Sequence, residues 1–226
     1  MSLVKNIIVF GAHGKVGQNL IRLLSAKTSP YTATAVVRNS DQASKIAEIS
    51  SNSPKVSTAL LSIDSANVSD IADAIHGHDA VVFTAGSGGK NLLQVDLDGA
   101  VKTFEASVIS NVKRYVLVSA IYADNRDLFE KSPIRNYYIA KHYADRILQA
   151  EFKDELDYTI LKPSRLTDEP GTGKIKILEA DDEAGDVTRE DVAKVIYEVL
   201  NNKLTVHRSY DFNNGESSIS DADTFR

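Results

Sequence analysis

The feature that most constrains the fold of this chain is a regular alternation between short β-branched runs and amphipathic stretches of helical period. Seven runs of the first kind predict buried strands, at residues 6–10, 32–38, 56–63, 80–84, 115–119, 158–161 and 206–212. Six stretches of the second kind predict helices, at residues 16–25, 41–50, 68–75, 95–110, 136–150 and 189–200. Such alternation is typical of βαβ units, so we expect an α/β fold, a doubly wound parallel sheet with helices on both faces.

The length of 226 residues favours one domain, since a domain takes about 150 residues on average. We expect residues 1–160 to form its core and residues 161–226 to form a small C-terminal extension and tail. Within the extension, residues 175–178 predict a further strand, and residues 167–174 form either a lid or a plain turn. The polar segment after Asn213 is predicted to be loop.

Composition excludes several classes of function. The chain has no cysteine, which removes disulfide scaffolds, cysteine-ligated zinc, iron–sulfur clusters and thiol nucleophiles. Its formal net charge is −5, so no basic surplus indicates a nucleic-acid or membrane partner. The five histidines lack the spacing of metal ligands, and the acidic run at residues 181–183 is expected to be solvated, so we predict no metal site. No signal peptide or membrane span is recognisable, and we expect a cytoplasmic protein.

The first predicted strand ends directly in a loop with glycines at positions 11, 14 and 17. Glycine lacks a Cβ, which lets the strand turn sharply, the backbone approach a diphosphate and the next helix pack closely on the sheet. Free amides at the start of that helix then face the anion. A tight turn without a ligand is the alternative. The pattern predicts a dinucleotide site whose phosphate loop is Gly11, His13, Gly14, Lys15 and Val16.

Three further strand ends extend the predicted cofactor site. Arg38 stands 21 residues after Gly17, where an NAD enzyme places a carboxylate on the ribose 2′-hydroxyl. A guanidinium there suits a 2′-phosphate and predicts NADP(H), the alternative being a surface arginine that closes the strand. Asp64 either accepts a hydrogen bond from the adenine or caps its own turn. The small residues Ala85 and Gly86 are expected to let the backbone run beside the cofactor.

Eight short motifs then follow one another in an order typical of one superfamily. They are Gly11-x-x-Gly14-x-x-Gly17, Val37-Arg38-Asn39, Val95-Asp96-x-Asp98-Gly99-Ala100, residues 115–119, Tyr137-x-x-Ala140-Lys141-x-x-Ala144-Asp145, residues 158–163, residues 166–173 and residues 189–193. By these motifs the chain resembles the short-chain dehydrogenase/reductases, and more narrowly their atypical members, small NAD(P)H-binding proteins often labelled epimerases or dehydratases. The resemblance implies a Rossmann-like fold with cofactor on residues 1–160 and substrate beside residues 161–226.

The same resemblance assigns chemistry to a tyrosine and a lysine. It implies that Tyr137 exchanges a proton with the substrate oxygen, that Lys141 holds the nicotinamide ribose, and that hydride passes to or from the cofactor. The two residues stand four apart, on one face of a predicted helix, and a nearby ammonium lowers the pKa of a tyrosine. The alternative is an amphipathic helix whose aromatic residue packs on the sheet. Ser119 and Pro163 join Lys141 in the implied cofactor site.

Complete members of the superfamily also carry a serine or threonine just beyond the fifth strand, where it holds the substrate oxygen. Ser119 is the candidate here, although it stands one or two positions early, and Tyr122 is the alternative. We therefore expect an NADP(H)-dependent oxidoreductase for a small carbonyl or alcohol, with Tyr137, Lys141 and Ser119 as its catalytic set. A non-catalytic NADPH sensor and an isomerase or dehydratase with tightly bound NADP are the alternatives. A monomer and a homodimer both fit the sequence.

Overall fold

The computed structural model describes residues 3–179 and 182–226, and within them eleven strands are arranged in two sheets. The strands are β1 Asn6–Phe10, β2 Thr32–Val37, β3 Val56–Leu60, β4 Ala80–Phe83, β5 Arg114–Val118, β6 Asp157–Pro163, β7 Arg165–Thr167, β8 Lys174–Ile177, β9 Asp186–Thr188, β10 Arg208–Asn214 and β11 Ser217–Ser218. The large sheet has the order β11-β8-β10-β6-β5-β4-β1-β2-β3, and β7 pairs with β9 separately. All pairings from β3 to β10 in the large sheet are parallel, and β8 joins its edge antiparallel.

Helices cover both faces of this sheet. They are α1 Lys15–Ser25, α2 Ser40–Ile49, α3 Val68–Ile75, α4 Asp98–Ile109, α5 Arg126–Phe129, α6 Arg135–Glu151 and α7 Arg189–Val199. The apolar sides of α1, α2 and α7 pack on one face, and those of α3, α4 and α6 pack on the other, so each face has its own hydrophobic core. The prediction of an α/β, Rossmann-like, doubly wound sheet in a single domain is confirmed.

Of the strands after residue 160, β8, β10 and β11 continue the large sheet, whereas β7 and β9 form a small sheet of their own. Residue 160 lies inside β6, and β10 pairs in parallel with β6. The strand predicted at residues 175–178 is present as β8. The parallel pair β7 and β9 was not predicted, because three-residue strands are too short to show a period of two.

The helix predicted at residues 95–110 begins earlier and in a different form. A π-helical segment, Leu92–Leu97, precedes α4, and the helix becomes regular at Asp98. The wider turn places Asp96 inside the protein, where its Oδ2 accepts a hydrogen bond of 3.0 Å from the backbone amide of Ser87. Insertions of this kind often occur at functional sites, and periodicity alone does not reveal them.

The C-terminal tail is ordered, which corrects the prediction of a loop after Asn213. A short 3₁₀ helix, Ala222–Phe225, ends the chain, and the side chain of Phe225 is fully buried. Its ring lies edge-on to Tyr210, 5.7 Å between centroids, and the Tyr210 hydroxyl donates to the Phe225 carbonyl at 2.8 Å. Phe225 thus anchors the tail together with Ile219, whose side chain is also buried.

In the part of the chain that the structure describes, no helix is both long enough and apolar enough to cross a bilayer.

Of the acidic run at residues 181–183, Asp181 lies outside the described residues, and Asp182 accepts a hydrogen bond of 2.5 Å from Lys176.

Candidate functional site

The carboxyl ends of the central strands border two adjoining cavities. The first, of about 570 Å³, lies over β1, β2 and β4, and the second, of about 860 Å³, lies over β5 and β6. Predicted cofactor residues line the first: Gly11, His13, Gly14, Arg38, Asp64, Ala85 and Gly86. Others line the second: Val16, Ser119, Tyr137, Lys141 and Pro163. Both cavities share the backbone of residues 84–86, so they form one groove at the point where the strand order reverses, the usual ligand site of open α/β sheets.

The turn after β1 allows a very close approach of backbone to backbone. Gly11 has a φ of +82°, and a Cβ on it would lie 2.4 Å from the amide nitrogen of Ala85. A Cβ on Gly17 would lie 2.4 Å from the Gly11 carbonyl oxygen, so α1 packs directly on the turn. Gly14 is the N-cap of α1 and provides no side-chain cap, which leaves the first amides of the helix available to an anion.

Three buried oxygen atoms on residues that line the groove indicate a polar ligand. Ser87 Oγ at the first cavity, and Asp96 Oδ1 and Ser164 Oγ at the second, have no hydrogen-bond partner within residues 3–179 and 182–226. Such atoms are rare in folded proteins and call for a partner that the protein itself does not supply. Together with the open amides of α1, they fit a dinucleotide of the NAD(P)H type.

Arg38 and Asp64 lie at the outer end of the first cavity. The backbone amide of Arg38 donates to Gln42 Oε1 at 2.9 Å, and its exposed side chain makes no ion pair with any residue that the structure describes. Asp64 accepts a hydrogen bond of 2.6 Å from Ser62, which, with a smaller contribution from the charge of Arg38, lowers the pKa of its carboxyl. Asn39 is engaged as the N-cap of α2, accepting from the Gln42 amide at 3.0 Å.

The side chain of Lys15 does not face the groove. Its Nζ lies 2.5 Å from Asp168 Oδ2, beside a separate surface cavity, and Arg189 donates to the other oxygen of Asp168 at 2.7 Å. A contact between Lys15 and a cofactor would therefore come from its backbone amide at the start of α1. Sequence spacing places the residue in the loop but does not say which way its side chain turns.

Tyr137 and Lys141 lie together on α6, as their spacing of four predicts. The Lys141 ammonium is buried, lies 5.8 Å from the centre of the Tyr137 ring, and donates to the carbonyl oxygen of Val118 at 3.2 Å. Asp96 Oδ1 is 4.0 Å from the same ammonium. Burial lowers the pKa of Lys141, although the charges of Asp96 and Asp145 act in the opposite direction.

The pKa of Tyr137 departs from the sequence-based expectation. A neighbouring ammonium is expected to lower it, but in the structure burial raises the pKa of Tyr137, and the negative charge of Asp96 raises it further. Lys141 lies against the ring rather than at the hydroxyl, and Asp96 offsets its positive charge. Tyr137 is therefore a neutral phenol at neutral pH, with its proton in place.

Ser119 lies at the end of β5, and its hydroxyl is bonded inside the protein. Ser119 Oγ donates to Asp145 Oδ2 at 2.8 Å, and both residues are buried. Lys162 on β6 lies 3.7 Å from the same Asp145 oxygen and also pairs with Asp124. Burial raises the pKa of Asp145 to about 7, although the charge of Lys162 and the hydrogen bond from Ser119 both lower it.

Asp145 and Lys162 are residues of the site that sequence reasoning did not select. One signal was present, since Tyr137, Lys141 and Asp145 recur at intervals of four and therefore share one face of α6. Lys162 gave no signal of its own, because its burial depends on the packing of α6 and the turn at residues 120–125 over β6. Tyr122 lies in that turn with a φ of +64°, an unfavourable conformation for a bulky residue, and lines the second cavity.

The outer wall of the second cavity is aromatic and aliphatic with a charged rim. Tyr122, Ile134 and Tyr138 form the apolar part. Arg165 and Asp186 stand at the rim and pair with each other, with Arg165 Nε 2.7 Å from Asp186 Oδ1. Such a wall suits an apolar molecule that carries a polar group toward Tyr137.

The segment predicted at residues 167–174 as a lid or a turn begins in β7 and ends in β8, and its loop, residues 168–173, is docked onto the start of α7. The backbone amides of Thr172 and Gly173 both donate to the buried carboxylate of Asp191 at 2.8 Å, and the amide of Gly171 donates to Glu190 at 2.9 Å. No group of three or more His, Asp or Glu side chains arranged to hold a metal ion occurs among residues 3–179 and 182–226.

Comparison with known proteins gives consistent matches over nearly the whole chain. A family model described as NAD(P)H-binding matches residues 11–203. A Bacillus subtilis protein named uncharacterized sugar epimerase YhfK is 38% identical over 220 residues, 96% of this chain and 97% of that protein. The crystal structure of the oxidoreductase ylbE from Lactococcus lactis has a TM-score of 0.85 at 34% identity, and the match covers 96% of this chain and 94% of that one.

A more distant structure shares the fold alone. It is a short-chain dehydrogenase/reductase of Veillonella parvula, solved in complex with NADP, with a TM-score of 0.75 at 20% identity over 96% of this chain and 97% of that one. The family match spans the glycine turn, the groove and α7, and it agrees with the geometry of the site. The chain has a Rossmann-like fold and belongs to the NAD(P)H-binding family.

Proposed function

We propose that this protein is an NADP(H)-dependent oxidoreductase that reduces a small, largely apolar carbonyl compound, with Tyr137 as the proton donor. The observation that carries the proposal is the continuity of the groove from the open amides of α1 to the Tyr137–Lys141 pair. The preference for NADP(H) over NAD(H) is inferred from Arg38, whose guanidinium suits a 2′-phosphate. A cytoplasmic location and a monomeric or homodimeric state belong to the same proposal.

The residues of this chain have separate parts in that reaction. Bound NADPH would supply the hydride that adds to the carbonyl carbon. The Tyr137 hydroxyl gives its proton to the carbonyl oxygen, so that a carbonyl, a hydride and a proton yield the alcohol. Because burial raises the pKa of Tyr137, its phenol carries that proton at neutral pH. Lys141, held by the Val118 carbonyl, would bind the nicotinamide ribose.

The proposal is tested by replacing Tyr137 with phenylalanine. NADPH consumption is followed at 340 nm with 9,10-phenanthrenequinone, a planar diketone that serves as the probe substrate. We expect Tyr137→Phe to lower kcat at least 100-fold, the size of a lost acid catalyst, while the Kd for NADPH changes less than about twofold. Tyr138→Phe is the matched control, since Tyr138 is its neighbour and lines the same cavity. Equal rates for wild type and Tyr137→Phe would contradict the assignment.

A second candidate function is favoured by one comparison. The Bacillus subtilis relative is named a sugar epimerase, and an epimerase would keep NADP bound through the whole cycle. Purified protein that carries stoichiometric NADP and does not consume NADPH with carbonyl probes would support this candidate. NADPH binding without copurified cofactor or turnover would instead favour a sensor, in which the bond from Ser119 to Asp145 leaves no donor for a substrate oxygen.

A further inference from the structure

A small buried network lies directly behind the Tyr137–Lys141 pair. Ser119 is one of the residues that line the second cavity, and its Oγ donates to Asp145 Oδ2 at 2.8 Å. The other oxygen, Asp145 Oδ1, is buried and has no hydrogen-bond partner in the described part of the chain. Lys162 is 3.7 Å from Oδ2 and is shared with Asp124, whose side chain is exposed. The carboxyl of Asp145 is thus enclosed and only partly neutralised.

We propose that the protonation state of Asp145 sets the direction in which the Ser119 hydroxyl donates, and thereby decides whether Ser119 holds the oxygen of a substrate. This inference rests on the proposed function, because the acceptor is the carbonyl oxygen of the substrate. Asp145 is a positioning residue in this scheme, since it acts through Ser119 and does not itself touch the substrate.

The number of hydrogens available determines which group donates in the bond between Ser119 and Asp145. A serine hydroxyl has one hydrogen to donate, and an ionised carboxylate is only an acceptor. While Asp145 is ionised, the hydrogen of Ser119 is therefore directed away from the groove and toward Oδ2. When Asp145 is protonated, its own O–H donates to Ser119 Oγ, and the serine hydrogen becomes free to point into the second cavity. An unpartnered Oδ1 is also less costly on a neutral acid than on a carboxylate.

The charges around Asp145 leave both forms accessible near neutral pH. The groups that face it are Lys141 and Tyr137 on α6, Ser119 after β5, Asp124 in the following turn and Lys162 on β6, with Asp96 and Asp211 beyond the two lysines. Two lysines thus stand among several carboxylates, and Asp124 competes for Lys162. Burial raises the pKa of Asp145 to about 7 in spite of the two cations.

The sign of the pH effect follows from this switch. Protonation of Asp145 below about pH 7 releases the Ser119 hydrogen, so we expect kcat for reduction to rise as the pH falls through that value. Asp145→Asn removes the titration while keeping the shape of the side chain. Its kcat should therefore vary less than about twofold between pH 6 and pH 8, whereas that of the wild type should fall severalfold.

The experiment begins with a measurement that needs no turnover. The full-length protein is labelled with ¹³Cγ-aspartate, the Asp145 signal is assigned with Asp145→Asn, and its chemical shift is followed from pH 5 to pH 9. Wild-type Asp145 should titrate near pH 7, and Ser119→Ala should raise that pKa by about one, because a hydrogen bond to the ionised form is lost. Ser164→Ala is the matched control, since Ser164 is another buried serine at the same cavity and should leave the titration unchanged.

The pH profile of kcat with 9,10-phenanthrenequinone is then compared for wild type and Asp145→Asn. A titration below about pH 5, or one that Ser119→Ala does not move, would overturn the inference whether or not the protein turns over. A pH profile that Asp145→Asn retains would overturn it as well. The expected titration in a protein that reduces no carbonyl probe would leave the Ser119–Asp145 coupling standing and would count against the proposed function alone.

Discussion

Two glycines with the same backbone conformation stand in very different surroundings. Gly11 has a φ of +82° and Gly77 has a φ of +81°, both in the left-handed region that favours glycine. A Cβ on Gly11 would lie 2.4 Å from the Ala85 amide nitrogen, whereas a Cβ on Gly77 would have no atom within 4 Å. Gly11 therefore allows the turn after β1 to pack closely against the loop after β4. Gly77 is needed only for the left-handed conformation of its turn.

This pair gives a prediction about stability. Gly77→Ala should lower the free energy of unfolding by about 1–2 kcal/mol, the cost of a left-handed alanine. Gly11→Ala should cost clearly more, because the backbone of β4 and its loop has to move, and it should also weaken NADPH binding. Urea unfolding of both variants checks the first part, and a cofactor titration checks the second. Equal losses of stability in the two variants would show that crowding at Gly11 is unimportant.

Single residues also show what the sequence can and cannot predict about the site. The glycine turn, Arg38 and the Tyr137–Lys141 pair were predictable, because each depends on local spacing after a recognisable strand or on one helix. Asp145 and Lys162 were not predicted, because their pairing joins α6 to β6 and exists only after packing. The raised pKa of Tyr137 was missed for the same reason, since burial outweighs a neighbouring charge that spacing alone suggests.

At the scale of elements, the start of α7 organises the loop at residues 168–173, part of which borders the separate surface cavity beside Lys15. Thr188 caps the helix, and the Asp191 carboxylate accepts from the Thr188 hydroxyl at 2.9 Å as well as from the amides of Thr172 and Gly173. A capping pattern such as Thr188 followed by Asp191 is visible in sequence. The loop amides that bind the Asp191 carboxylate, those of Thr172 and Gly173, lie 19 and 18 residues earlier in the chain. The loop at residues 168–173 is therefore held by a contact that local patterns do not predict.

Replacing Asp191 should release this loop. Asp191→Ala leaves two backbone amides without their partner, and we expect the free energy of unfolding to fall by about 3 kcal/mol. Glu190→Ala is the control, because Glu190 is exposed and accepts from one amide only, so its loss should cost less than about 1 kcal/mol. Chemical denaturation measures both values. A smaller loss for Asp191→Ala than for Glu190→Ala would refute this account of how the loop is held.

At the scale of the whole molecule, the doubly wound parallel sheet was predictable as a fold class, but the antiparallel edge of the sheet was not. Hydrophobic runs between β1 and β6 predict a buried parallel sheet, and the structure confirms it. The antiparallel pairing of β8 with β10 and β11 joins segments that are far apart in the chain, and the tail buries Ile219 and Phe225, the latter beside Tyr210. The largely polar composition of residues 213–226 conceals those two buried residues.

The tail should therefore contribute to the stability of the whole domain. Phe225→Ala removes a fully buried ring, and we expect a loss of about 3–5 kcal/mol in the free energy of unfolding. Leu204→Ala is the control, because Leu204 is about half exposed and its truncation should cost less than about 1 kcal/mol. Urea denaturation followed by circular dichroism measures both. A negligible effect of Phe225→Ala would mean that the tail is not a structural part of the domain.

The binding of NADP(H) in the groove, with Arg38 at the 2′-phosphate, is tested by titrating the protein with NADPH and with NADH. Nicotinamide fluorescence reports the binding of each cofactor. The chain contains no tryptophan, so the signal comes mainly from the cofactor. A charged hydrogen bond from Arg38 to the 2′-phosphate is worth about 1.5–3 kcal/mol, which predicts NADPH binding about 10–100-fold tighter than NADH binding.

Arg38→Gln should remove that preference, while Lys45→Gln, a change at a nearby cation that lies on α2, should leave it intact. Tight NADPH binding that loses its advantage over NADH in Arg38→Gln is the result we expect. Equal binding of the two cofactors by the wild type would contradict the role of Arg38, and binding of neither would contradict the cofactor groove itself.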